Sequence, residues 1–227
     1  MYSINLATFS LDEFYGMLIS IDLLPGRKIL LNNIQGLIEK LKARNIHSLS
    51  ELQKMIEKKT NYPALSKELS VEEEYLTVLN REINSYVSKP LVLNALELLT
   101  KDEIASLAAL GINNTKNFYD RTCKKTDRKK VVSGSIVPEC KLTLMLQFVD
   151  LLRVNGIGPV YAKILNAIGI KSKDDYLSMP SQTILTLVQE ANQEKGYIKV
   201  KLGLKDIEYC KRFCLKLDSD IYMNVID

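Results

Sequence analysis

The residues with the most explicit chemistry are Asn155, Gly156, Ile157, Gly158 and Pro159, within the run LLRVNGIGPVYAKILNAIGI at positions 151–170. Glycine permits the positive dihedrals and close approach of a tight turn, while proline's fixed φ and missing amide hydrogen suit the first turn of a helix. The run therefore predicts two helices joined by a short turn. Amides at the start of the second helix lack intrahelical acceptors and sit at the positive end of its dipole. That arrangement suits a phosphate oxygen.

Charge supplies a second signal. Positions 121–141 hold seven basic residues (Arg121, Lys124, Lys125, Arg128, Lys129, Lys130, Lys141) against two acidic ones (Asp127, Glu139), a surplus of five in a chain whose total is +4. The remainder is close to neutral, so any electrostatic footprint is local and suited to an anionic partner. Lys124, Lys125, Arg128, Lys129 and Lys130 are its densest part. The window 124–130 is polar and lacks apolar periodicity, which predicts a mobile loop or linker, either a ligand contact or merely solvated.

Other reactive residue types do not assemble into a catalytic pattern. Cys123, Cys140, Cys210 and Cys214 are too few and scattered for a disulfide framework. Cys210 and Cys214, four apart on a predicted helix, are expected to be small buried residues rather than metal ligands, because His47 is the sole histidine. Glu72–Glu74 and the pair Asp174 and Asp175 fall at predicted helix starts, where acidic charge has a structural reason. No Gly-rich phosphate loop ending in Lys-Ser or Lys-Thr and no nucleophile elbow occurs. We expect no metal, no cofactor and no catalysis.

The elements that must position these residues are helical. Ser10 with Glu13, Ser48 with Glu51 and Thr100 with Glu103 have capping-box spacing and mark three helix starts. Apolar spacing predicts a helix over 29–44 after the Pro25–Gly26 turn, and over 64–86 a short helix, a turn at Ser70 and a longer helix. Further helices are expected up to Leu110, on both sides of the 155–159 turn, over 181–192 and over 204–217, with an extended connector at 196–203 and fraying after Asp218. An echo runs through the chain. LIEKLKARNIHSLSEL from Leu37, EIASLAALGINNTKNF from Glu103 and AKILNAIGIKSKDDY from Ala162 share a helix, a cap (Asn45, Gly111, Gly169), an isoleucine (Ile46, Ile112, Ile170), a polar N-cap and an apolar residue beyond it. Such spacing predicts helical-hairpin units that share a core.

With 227 residues and 46% apolar composition, the chain can bury a sizeable core as one large or two small domains. No apolar run is long enough to span a membrane and the N-terminus lacks a secretory pattern, so a cytoplasmic location with no membrane partner is expected. The expected organisation is a helical module with degenerate hairpin repeats over 1–122, a basic linker or loop over 123–140, and a second module over 141–227.

The apolar-flanked Gly-Ile-Gly turn, with small Ala162 four positions after the second glycine, resembles the helix-hairpin-helix motif. Asp150-Leu151-Leu152-Arg153 before the turn, Tyr161-Ala162, Gly169-Ile170, and Glu190-Ala191-Asn192 before a basic stretch and final helix are similar to the domain of unknown function four-three-three-two, best over 141–217. That resemblance implies an all-α fold of stacked helical hairpins. It further implies sequence-tolerant binding of DNA or RNA backbone, with Gly156, Ile157 and Gly158 facing phosphate and Arg153 and Lys163 as electrostatic aids. Val160 departs from the pattern, since the position two after the second glycine is often basic in the DNA-binding members. The alternative is a protein-interaction or scaffolding module with a purely structural hairpin.

Overall fold

In a computed structural model describing residues 1–23, 25–196 and 202–218, the chain forms thirteen α-helices and three short 3-10 helices among the described residues. Extended pairing among them is confined to two isolated bridges, Ser10 with Ser48 and Val92 with Asn114. The fold is all-α. The expected connector at 196–203 falls mostly outside the described residues, as does the chain beyond Asp218.

The chain divides into two compact units, but not where its composition shifts. One, the inserted unit, is Asn5–Val87; the other, the main unit, combines Met1–Ile4 with Ser88–Asp227. The expected boundary near 122 and the linker at 123–140 both lie inside the main unit, so this division replaces the three-part reading. The linker expectation fails because 125–134 is a helix with a buried face of its own.

The inserted unit contains α1 (Leu11–Ser20), a 3-10 helix (Pro25–Leu31), α2 (Ile34–Lys42), α3 (Leu49–Ile56), a 3-10 turn (Lys59–Asn61), α4 (Tyr62–Leu69) and α5 (Glu73–Ser85). Both predicted capping boxes here are formed, at Ser10–Glu13 and Ser48–Glu51. The helix expected over 29–44 is instead split, because Asn33 takes the left-handed conformation at φ 56° and stops the first turn before α2 begins. Leu11, Phe14, Leu18, Leu41, Leu76 and Ile83 are among the buried core. Within it Glu82 is fully buried, accepting from Tyr86 Oη at 2.8 Å and pairing with Arg27.

The main unit contains a 3-10 turn (Leu93–Leu96), α6 (Lys101–Ala109), α7 (Thr115–Thr122), α8 (Lys125–Gly134), α9 (Glu139–Leu152), α10 (Pro159–Ala167), α11 (Lys173–Ser178), α12 (Ser181–Lys195) and α13 (Leu204–Lys216). Helix α9 is its axis, touched by α7, α8 and α10, while α13 packs on α11 and α12. Eight residues of α9 are buried, including Met145, Leu146, Val149 and Leu151.

The sequence echo has a common backbone form. Asn45, Gly111 and Gly169 take positive φ (62°, 76° and 88°), and the amides of Ile46, Ile112 and Ile170 donate to Leu41, Leu107 and Leu165 at 3.1, 3.0 and 2.9 Å. This six-to-one bond ends each helix in a Schellman cap. Ser48, Asn114 and Ser172 then cap the following helix, and Leu52, Phe118 and Tyr176 drop into the cores. The next amide in each copy also finds a distant acceptor. Leu49 donates to the Phe9 carbonyl (2.9 Å) and Thr115 to the Leu91 carbonyl (2.8 Å), but Lys173 donates to the Asp150 carboxylate (2.8 Å).

Candidate functional site

The turn between α9 and α10 is built from its apolar residues. Val154 and Ile157 are buried, and the Ile157 amide closes onto the Val154 carbonyl at 3.0 Å. Ala162 is fully buried, as a small residue must be where two helix backbones approach. The two glycines do different work. Gly156 has φ +93°, and a Cβ on it would lie 2.7 Å from Cys210 Sγ, so any side chain meets both backbone strain and α13. Gly158 has φ −88° and open space where a Cβ would stand.

One side of the turn is therefore committed to α13. Asn155 Nδ2 donates to Tyr209 Oη at 3.0 Å on that side. Gly158 opens to solvent as the N-cap of α10, where no side chain caps the helix and the amides of Gly158, Val160 and Tyr161 have no acceptor among the described residues. Val160 is 47% exposed next to these amides, so an apolar side chain borders them.

Arg153 is a correction. Expected to aid phosphate binding, it is fully buried and its donors are consumed inside the main unit. Nε reaches the Tyr2 carbonyl (3.1 Å), one terminal nitrogen reaches Asp150 Oδ1 (2.7 Å) and Tyr119 Oη, and the other reaches the carbonyls of Met1 (2.9 Å) and Asp218 (3.1 Å). The guanidinium also lies 4.1 Å from the Tyr119 ring centroid. No face remains for a phosphate. Burial raises the Asp150 carboxyl from its ordinary value, against the attraction of Arg153 and the hydrogen bond from the Lys173 amide. Lys163 is also engaged, bound to Glu97 at 2.6 Å and holding that carboxyl below its usual range.

The basic residues expected in a loop instead ride on helix α8. Arg128 and Val131, one turn apart, face inward, and Asp127 in the first turn pairs with Lys130 at 2.9 Å. Arg128 is thus buried rather than displayed, a second correction with the same cause as the loss of the linker: its long stem supplies the apolar face that the window seemed to lack. Lys125, Lys129 and Lys130 occupy the exposed side, flanked by Lys124 at the N-cap and Arg121 at the end of α7. Of these five, Arg121, Lys124, Lys125 and Lys129 form no ion pair with a described residue.

Residues 97–211, just over half of the 227-residue chain, match the family model described as Domain of unknown function (DUF4332). The chain belongs to that family. No curated protein and no solved structure matches it. The DUF4332 segment lies wholly within the main unit and begins well upstream of the expected 141, taking in the Gly111-Ile112 copy of the echo as well as the Gly169-Ile170 copy. It also contains α8 and the α9–α10 turn.

Three residues of the DUF4332 segment that sequence reasoning did not single out, Thr115, Tyr119 and Lys173, gather around Arg153 or Asp150 with Tyr2 from the chain start. The spacing of Asp150 and Arg153, three apart on a helix whose other residues there are apolar, is a signal that the expectation of a phosphate-facing Arg153 passed over. Tyr2 carried no signal. Cys210 and Cys214 are buried on α13, where burial pushes both thiols up to about 12, whereas Cys140 is exposed. Among the described residues no group of three or more His, Cys, Asp or Glu side chains could hold a metal, and no helix is long and apolar enough to cross a membrane.

Proposed function

We propose that this DUF4332 protein is a non-enzymatic binder of nucleic-acid backbone without strong sequence preference, holding phosphates on the exposed side of α8 and the adjoining end of α7. The observation that carries the reading is the set Arg121, Lys124, Lys125 and Lys129, all exposed and none paired with a described carboxylate. A helix holds Lys125 and Lys129 one turn apart, so their charge is ordered before a ligand arrives. Neutralising phosphates releases condensed counterions, which provides affinity without base recognition. The start of α10 adds at most a single phosphate contact, because Arg153 and Lys163 are engaged elsewhere and Val160 brings no charge.

Fluorescence anisotropy with a labelled duplex and a labelled single strand tests this. Four phosphate contacts predict a slope of log affinity against log salt of about −3.6 on duplex DNA, falling to about −0.9 when Lys124, Lys125 and Lys129 are replaced by glutamine. An unchanged slope, or no binding at low salt, would refute the reading. The scaffolding alternative is favoured by one observation, the packing of Gly156 against Cys210, which gives the turn glycine a structural reason. A protein partner retained after nuclease treatment would favour it.

A further inference from the structure

The first residues of the chain part company with their neighbours. Met1–Ile4 belong to the main unit by their contacts, although Asn5–Val87 form the inserted unit. Burial alternates along them: Tyr2 and Ile4 are buried, while Met1 is exposed and Ser3 half-buried, the pattern of an extended segment with one face covered. Tyr2 is covered most deeply, at 1% exposure, sharing a hydrogen bond with Thr115 Oγ1 at 2.7 Å and setting its ring edge to face against Tyr119 at 5.9 Å. The main chain is read as well. Arg153 takes the carbonyls of both Met1 and Tyr2, and Ser3 Oγ donates to the Ser88 carbonyl at 3.5 Å.

The groups that recognise this segment also have partners outside it. Asp150 at 2.7 Å and the Tyr119 ring at 4.1 Å fix the Arg153 guanidinium, the Leu91 amide donates to Thr115 Oγ1 at 3.0 Å, and Ser88 Oγ donates to the Arg153 carbonyl at 2.5 Å. A guanidinium aimed at two successive carbonyls beside a slot for one phenol has the geometry to read a peptide main chain. We propose that Met1–Ile4 is a tethered ligand of the main unit, and that the cleft of Thr115, Tyr119 and Arg153 accepts an extended tyrosine-bearing peptide in trans when the tethered segment is withdrawn. Covalent connection gives the tethered segment a high effective concentration, so it occupies the cleft by default.

The test uses the 227-residue chain carrying Tyr2→Ala and a capped peptide of sequence Met-Tyr-Ser-Ile-Asn-Leu. Millimolar peptide should raise the Tm of the variant by about 3 °C or more and saturably, leave the wild-type protein with a smaller rise, and lose its effect when its tyrosine is replaced by alanine. A folded variant that gains nothing, or gains equally from the alanine peptide, overturns the proposal. A second variant covers the case in which Tyr2→Ala does not fold: about eight Gly and Ser residues inserted between Ile4 and Asn5. A tethered ligand tolerates the longer connection, because loop closure cost rises only slowly with length, so this variant should melt within about 5 °C of wild type. Its failure to fold would equally overturn the proposal.

Discussion

Replacing Arg153 by methionine is the sharpest trial of the main unit's architecture. The substitution keeps much of the side-chain volume but removes donors to Asp150, Tyr119 and the carbonyls of Met1, Tyr2 and Asp218. It leaves the Asp150 carboxylate, only 2% exposed, with the Lys173 amide but without its cation. Removing one member of a buried ion pair costs about 3–5 kcal/mol, a large share of the ~5–15 kcal/mol that stabilises a typical domain. A loss of that size lowers the melting temperature by roughly 6–20 °C for a unit of this size. Urea unfolding should be followed by circular dichroism and by thiol exposure in a Cys140→Ser background, since the three buried cysteines, Cys123, Cys210 and Cys214, lie in the main unit and report its opening. Adding Asp150→Asn should return part of the loss, because the amide oxygen still accepts from Lys173 and the orphaned charge is gone. The pH dependence has a definite sign. Burial already raises the Asp150 carboxyl above 3.8, and a raised carboxyl carries a charge penalty that protonation relieves. The deficit of Arg153→Met relative to wild type should therefore narrow as pH falls from neutrality through that raised value, and Asp150→Asn should abolish the narrowing. A change of less than about 1 kcal/mol, or a loss of nucleic-acid affinity with stability intact, would refute the assignment of Arg153 to the interior.

The turn glycines should separate cleanly. Gly156→Ala meets positive φ and Cys210 Sγ and should cost about 1–3 kcal/mol, whereas Gly158→Ala meets open space and should cost no more than about 1 kcal/mol, both read from urea midpoints; the reverse order would contradict the packing on α13. A thiol reagent at neutral pH should label Cys140 rapidly and the native protein's other three cysteines only on unfolding, because Cys123, Cys210 and Cys214 are buried; rapid labelling persisting in Cys140→Ser would contradict this.

Helix boundaries were legible wherever a local hydrogen bond sets them. The Ser10–Glu13, Ser48–Glu51 and Thr100–Glu103 boxes need only residues three apart, and Asn45, Gly111 and Gly169 cap their helices through the backbone of the same turn. Periodicity failed at α8 because its inward face uses the stem of Arg128, a residue whose type reads as solvated. At Asn33 it failed because one left-handed residue interrupts an apolar pattern that itself continues.

The sequence by itself determined an all-α chain, the position of its Gly-Ile-Gly turn, the threefold echo and the concentration of positive charge between 121 and 141, since each depends on residues within a few positions of one another. Tertiary structure alone decided which charges remain available. Arg153 is engaged by residues distant in the chain, Arg128 is buried on α8, Lys163 is taken by Glu97, and Tyr2 is held by α7 and by Arg153 across more than a hundred residues. Burial of a charge is a property of the segments that fold over it, and spacing along the chain does not encode which segments those are.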